Sequence, residues 1–203
     1  MANKEMSYSG INLEQGDLPI TLKLLDKSID EAIKQNSRRM IVLMGHANIK
    51  LCFIAGIILR RVVEKLAKRL NSDKVQVLYA LKHNYEDAKE RLKVISSLMK
   101  DFTLIDFEEI DYADTEQVLG TTYDLLVLDL INDLRPNDIG RLIGIVRGGG
   151  LIILITPHFD EWEKRITEFQ ELLSTPQHPV NEVRHIFKKR FIKKLLKYPG
   201  IAV

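Results

Sequence analysis

From Arg39 onward the chain alternates short apolar runs with longer amphipathic stretches, and this alternation narrows the possible folds more than any other feature. A run of five to eight apolar residues without polar interruption is a strand buried on both faces. Strands of that kind separated by helices form a parallel sheet with helices packed against it. Residues 40–44 (MIVLM) are the first such run. The helix over residues 48–70 follows, with Leu51, Ile54, Ile58, Val62 and Leu66 at spacings of three or four. Residues 74–80 (KVQVLYA) make a second strand. Residues 85–99 make a helix with Ala88, Leu92, Ile95 and Met99 on its apolar face. Residues 102–107 are a third strand, followed by an acidic connection with Glu108, Glu109, Asp111, Asp114 and Glu116. Residues 123–130 (YDLLVLDL) and 151–156 (LIILIT) supply strands four and five.

The connections carry their own signals. Pro136 suits the first turn of a helix, where its missing N–H costs nothing, and Asp138 complements the helix dipole there. Gly148, Gly149 and Gly150 are expected to cap that helix at its C-terminus. Residues 160–173 read as one helix, with Trp162, Ile166, Phe169 and Leu173 as core packing. Residues 174–180 (STPQHPV) form a connector, and residues 181–198 a basic amphipathic helix whose apolar face holds Phe187, Phe191, Ile192, Leu195 and Leu196. A lead-in helix is expected over residues 22–35. The expected architecture is a three-layer, Rossmann-like α/β domain with a parallel five-stranded sheet and a C-terminal helical extension. Its strand order is expected to be 3-2-1-4-5, with a ligand crevice near strands one and four. The expected organisation is a polar segment 1–20, an α/β domain 21–173, and a connector with basic helix over 174–203.

Composition bounds the function classes. A chain of 203 residues with 45% hydrophobic and 29% charged residues is globular. A single cysteine, Cys52, excludes an intrachain disulfide framework and a cysteine-rich zinc site. Residues 1–20 are polar and mixed, so no secretory leader is expected there, and no apolar stretch approaches the roughly 20 residues that span a bilayer. A cytoplasmic protein without membrane contact is expected. The net charge of +2 is unevenly spread: residues 181–203 carry seven cations against Glu182 alone, leaving the remainder mildly acidic. A basic C-terminal end on an acidic body points to an anionic partner such as nucleic acid.

Two familiar nucleotide sites are missing. The chain has no G-x-x-x-x-G-K-[ST] loop, and only one glycine follows the first strand, at Gly45-His46-Ala47-Asn48, where a dinucleotide fold carries G-x-G-x-x-G. The run Leu125–Asp129 resembles a magnesium-binding strand end, but Leu130 follows where such sites often carry a second acid. The stretch from Asp129 to Gly149-Gly150-Leu151 is similar to the later half of a methyltransferase sheet, without that fold's glycine-rich loop. His46, His83, Asp129 and His158 each fall at or just beyond a strand's carboxyl end. Together they could ligate a divalent metal, or form a general base with its orienting acid, in a stand-alone enzyme. The plainer reading is that loop histidines cap, hydrogen-bond or face solvent. On the C-terminal helix, Lys189, Lys193 and Lys197 recur every four residues and make one basic row, read either as a solvated face or as an RNA-phosphate contact.

The segment 123–157, YDLLVLDLINDLRPNDIGRLIGIVRGGGLIILITP, resembles the N-terminal region of the tRNA(Met) cytidine acetyltransferase family. The features that carry the likeness are the strand Leu125–Asp129, the turn Arg135-Pro136-Asn137-Asp138, and Ile145-Val146-Arg147-Gly148-Gly149-Gly150-Leu151. Arg190-Phe191-Ile192-Lys193-Lys194-Leu195 is similar to the family's helix ahead of its ATPase module, so the likeness spans roughly residues 38–203. It implies a parent enzyme with a helicase-like ATPase, a GNAT-type acetyltransferase module and an RNA-binding region. Such an enzyme uses acetyl-CoA, ATP and magnesium to form N(4)-acetylcytidine in RNA. This chain has neither catalytic module's motifs. It is therefore expected to be a truncated, non-catalytic accessory domain without cofactor or metal of its own. Its expected partners are tRNA or other RNA and the downstream ATPase and acetyltransferase domains.

Overall fold

The computed structural model describes residues 6–8, 11–13, 17–46, 48–70, 74–198 and 201–203. Two short antiparallel strands, β1 (Met6–Tyr8) and β2 (Ile11–Leu13), precede helix α1 (Asp17–Lys34). The segment expected to be polar, residues 1–20, lies partly outside the described residues. The body then alternates as expected: β3 (Arg39–Met44), α2 (Asn48–Leu70), β4 (Val75–Leu81), α3 (Glu86–Met99), β5 (Ile105–Asp111), β6 (Tyr123–Asp129), α4 (Pro136–Gly144) and β7 (Val146–Thr156). Helices α5 (Phe159–Lys164), α6 (Glu168–Leu172) and α7 (Ile186–Leu195) lead to a two-residue strand, β8 (Ile201–Ala202).

The main sheet is parallel throughout, in the order β5-β4-β6-β7-β3-β8. Alternate residues of each strand enter opposite cores. Val77, Tyr79, Leu125, Val127, Leu151 and Ile153 pack under α1, α2 and α3. Leu78, Ala80, Leu126, Leu128, Ile152 and Leu154 pack under α4, α5 and α7. Every residue of β6 is buried, Asp124 and Asp129 included, and the apolar run 125–128 at its centre suits a central strand.

Several expectations are corrected. The sheet has six strands rather than five, because β8 joins the edge of β3 in register Met40 with Ile201. The first long strand, β3, does not lie between β4 and β6; it pairs with β7, so the order 3-2-1-4-5 fails. The connection from β3 to β4 passes over β7 and β6, three strand spacings of about 4.8 Å. Helix α2, with 23 residues rising about 1.5 Å each, is long enough to make that crossing.

The expected single helix over residues 160–173 is two short helices. Arg165 is extended, and Thr167 starts α6 with a capping box closed by Gln170. The basic helix is shorter than expected, at ten residues. The triple glycine does not cap α4, which ends at Gly144; it lies within β7. A Cβ on Gly148 would strike the backbone oxygen of Asn36, and one on Gly150 the backbone oxygen of Asp124. The glycines therefore let β7 run close beneath the α1 C-terminus and past the irregularity between Tyr123 and Leu125 in β6. There the buried Asp124 carboxylate accepts from the Gln76 N–H at 2.8 Å and pairs with Arg147 at 2.6 Å.

Candidate functional site at the carboxyl edge of the sheet

After β4 the chain leaves through α3 on one face of the sheet, and after β6 it leaves through α4 on the other. Divergent connections of this kind open a crevice between the two carboxyl ends, the usual ligand site of open α/β sheets. The crevice is thus between β4 and β6, not at the first strand.

Side chains of the chain itself fill it. Asp129 ends β6 and is 2% exposed. Its carboxylate accepts from Arg91 Nε at 2.6 Å, from the Tyr79 hydroxyl at 3.0 Å and from the Ile131 N–H at 3.2 Å. Arg91 comes from α3, has no exposed surface, and also donates to Asp87 at 2.7 Å and to the Asn132 side-chain oxygen. Asn132 in turn donates to Asp87. Burial alone would weaken the Arg91 charge, but the Asp129 and Asp87 carboxylates outweigh it and hold the guanidinium ionised. Burial, reinforced by the Asp129 charge, pushes the Tyr79 phenol far up and the nearby Cys52 thiol to about 12. Neither group is available as a nucleophile at neutral pH.

Outside this plug lies a second polar layer. Lys82, the residue after β4, is 6% exposed and meets Glu168 at 3.5 Å. Arg135, which precedes α4, meets the same carboxylate at 3.4 Å and Asp133 at 2.7 Å. Asp133 also accepts from the N–H groups of Leu134 and Phe169. Burial and the charges of Glu168 and Asp133 raise the Tyr85 phenol beside them.

The four candidate metal or acid–base residues separate into three places. His46 and His158, at the ends of β3 and β7, stack with ring centroids 5.2 Å apart. His46 meets Glu161 at 2.7 Å and His158 meets Asp160 at 3.5 Å. His83 lies beyond β4 beside Glu109 and Asp111, and Asp129 is enclosed by Arg91. Among the described residues no three His, Cys, Asp or Glu side chains form a group able to hold a metal. Part of the turn after β3, Ala47, lies outside the described residues.

Helix α7 packs through Ile192 and Leu195, with Phe191 edge-on to Trp162 at 6.1 Å. Leu196 is 59% exposed, so the expected apolar face is narrower than five residues. Lys189, Lys193 and Lys197 are all exposed; Lys189 meets Glu163 at 3.3 Å. Lys188 is the exception among the helix cations. It is 4% exposed, donating to the Arg165 carbonyl and to Gln170 Oε1 at 3.1 Å.

Arg91, Lys82, Glu168 and Lys188 are not among the candidate site residues expected from sequence. Arg91 carried a signal: the buried positions of α3 are Ala88, Arg91, Ile95 and Met99, so a charged residue stands where the helical period wants an apolar one. Asp87, four residues earlier, is its helix-face partner.

Comparison with known proteins gives a consistent result. Residues 14–203 match the family described as tRNA(Met) cytidine acetyltransferase TmcA, N-terminal. The chain is 36% identical over 194 residues to the tRNA(Met) cytidine acetyltransferase TmcA of Pyrococcus abyssi, covering 90% of this chain and 24% of that protein. It is 32% identical over 202 residues to the Thermococcus kodakarensis protein of the same name, with the same coverage. To that of Methanopyrus kandleri it is 34% identical over 191 residues, covering 91% of this chain and 22% of the relative. The chain thus spans about a quarter of the length of the curated relatives it matches. Among the described residues, no helix is long and apolar enough to cross a membrane.

Proposed function

This chain belongs to the family of tRNA(Met) cytidine acetyltransferase N-terminal domains, and we propose that it is a non-catalytic accessory module of an RNA N(4)-acetylcytidine-forming enzyme. In this reading the acetyl-CoA, ATP and magnesium sites belong to the ATPase and acetyltransferase domains of the parent protein, which works in the cytoplasm. The role of this module is to help hold tRNA or another RNA, or to dock the helicase-like ATPase.

The supporting observation is the split character of α7. Its inner face is anchored by Ile192 and Leu195, while Lys189 and Lys193, four residues apart, are exposed on it and Lys197 is exposed just beyond its last residue, Leu195. A helix fixed by its apolar side presents Lys189 and Lys193 in a constant geometry, and each phosphate contact that these cations or Lys197 make releases counterions. The exposed Leu172, Leu173, Ile186 and Leu196 near the same helix favour a neighbouring domain as the second partner of this end.

The test replaces Lys189, Lys193 and Lys197 together by glutamate in the full-length enzyme. Weaker tRNA binding, with a plot of log affinity against log salt flattened by about two to three, is expected from three lost phosphate contacts. Unchanged affinity and slope in a folded variant would reduce the row to a solvated face and leave α7 as a bridge between domains.

A further inference from the structure

At the β4–β6 crevice, Lys82 is held by a long ion pair. An ammonium offers three donors, and a buried one needs close acceptors. Among the described residues its ion-pair partner is Glu168, at 3.5 Å, well beyond the 2.7–2.9 Å of a good charged N–H···O bond. Arg135 reaches the other oxygen of the same carboxylate at 3.4 Å, also long. Two cations from the ends of β4 and the β6–α4 connection therefore converge on one carboxylate, which comes from neither element. Glu168 is the first residue of the five-residue helix α6 and is partly exposed, so it reaches in from outside. Helices α3 and α4 both begin at this edge, and neither has a side-chain cap on its free N–H groups.

We propose that Lys82 and Arg135 form a latent phosphate-binding site at the topological switch point, held shut by the Glu168 carboxylate as its built-in occupant. The ligand is the phosphate group of a small soluble phosphate compound. Such a group carries up to two negative charges and three acceptor oxygens, against one charge and two oxygens for Glu168. It can therefore approach Lys82 and Arg135 together where the side chain leaves both at arm's length. Asp133 opposes an incoming anion, but it is already committed to Arg135 and to the Leu134 and Phe169 N–H groups. The deeper carboxylates Asp87 and Asp129 share Arg91, which offsets one of their two charges. Burial of Lys82 selects a small terminal phosphate over the backbone of an RNA strand. This site is separate from the exposed row on α7 and does not depend on that row contacting RNA.

The test titrates pyrophosphate into the full chain, its Glu168→Gln variant and the Glu168→Gln, Lys82→Met double variant, at constant ionic strength. Glu168→Gln should bind pyrophosphate at least about tenfold tighter than the unmodified chain, equivalent to about 1.4 kcal/mol. The double variant should lose the gain, and an RNA oligonucleotide ending in a 5′-hydroxyl should show none. No gain in a folded Glu168→Gln chain, a gain that survives Lys82→Met, or an equal gain for the RNA would each overturn the proposal. Should Glu168→Gln not fold, backbone amide shifts of the unmodified chain with up to about 10 mM pyrophosphate decide it. Shifts centred on Lys82, Arg135 and Phe169 support the site; shifts confined to α7, or none, refute it.

Discussion

Arg91 Nε lies 2.6 Å from Asp129 Oδ2, and neither side chain reaches solvent. The pair joins helix α3 to the carboxyl end of the central strand β6, across the crevice where folds of this class receive a nucleotide. Asn132 and Asp87 satisfy the rest of the guanidinium, so the charge is enclosed and hydrogen-bonded rather than stranded. The frame of a ligand-binding α/β domain is kept here while its deepest pocket is made structural.

Removing one member of that pair should be costly. Arg91→Met leaves the Asp129 carboxylate buried without its main partner and is expected to cost about 3–5 kcal/mol in urea unfolding. The double variant Arg91→Met, Asp129→Leu removes both charges and should recover much of that loss. A single variant within 1 kcal/mol of the unmodified chain would show that the pair does not anchor β6.

A filled crevice also bears on small ligands. Calorimetry of this chain with ATP-Mg, acetyl-CoA or S-adenosylmethionine should show no binding tighter than about millimolar, near 4 kcal/mol. Micromolar binding of any one would mean that the turn after β3 or the crevice accepts a cofactor despite Arg91.

How far the sequence foretold this arrangement depends on which forces were local. The helix over residues 48–70 and the strand type of β4, β6 and β7 were legible, because periodicity and burial are written along each segment. The place of β3 in the sheet was not: Met40–Ile41–Val42–Leu43–Met44 reads as central, yet it lies beyond β7 and is covered at its edge by only two residues of β8. Strand order is set by which helix crosses which strands, a long-range choice with no mark inside the run. The helical placement of Lys189 and Lys193 was legible from their spacing, but the end of α7 at Leu195, which leaves Lys197 beyond it, was not. The Lys82–Glu168–Arg135 cluster was not, since its three members are far apart in the chain and meet only through the sheet's topology.

The glycines of β7 and α4 allow a contrast in sign. Gly148→Ala and Gly150→Ala place a Cβ under 3.0 Å from fixed backbone oxygens, and each should destabilise by about 1–3 kcal/mol or more. Gly140 lies inside α4 with nothing within 4 Å of an added Cβ, so Gly140→Ala should stabilise by about 0.5–1 kcal/mol. Thermal unfolding of the three variants checks the pattern. Equal effects at Gly140 and Gly150 would mean that β7 can move away from Asp124.

Lys188 makes the stability of the α6–α7 end depend on pH. Burial, with the charge of Arg165 adding to it, lowers its ammonium from an ordinary 10.5 to about 8 in the folded chain. Between those values the unfolded chain binds more protons than the folded one, so stability rises with pH across about 8 to 10.5. Below pH 8 both states are protonated and this contribution to stability is absent. Lys188→Met removes the titration, so the difference in unfolding free energy between the two chains isolates it from every other ionising group. That difference should move in favour of the unmodified chain by on the order of 2 kcal/mol between pH 7 and pH 10. It should stay flat between pH 5 and pH 7. A flat difference up to pH 10 would place the Lys188 ammonium in water, free of the Arg165 carbonyl and Gln170.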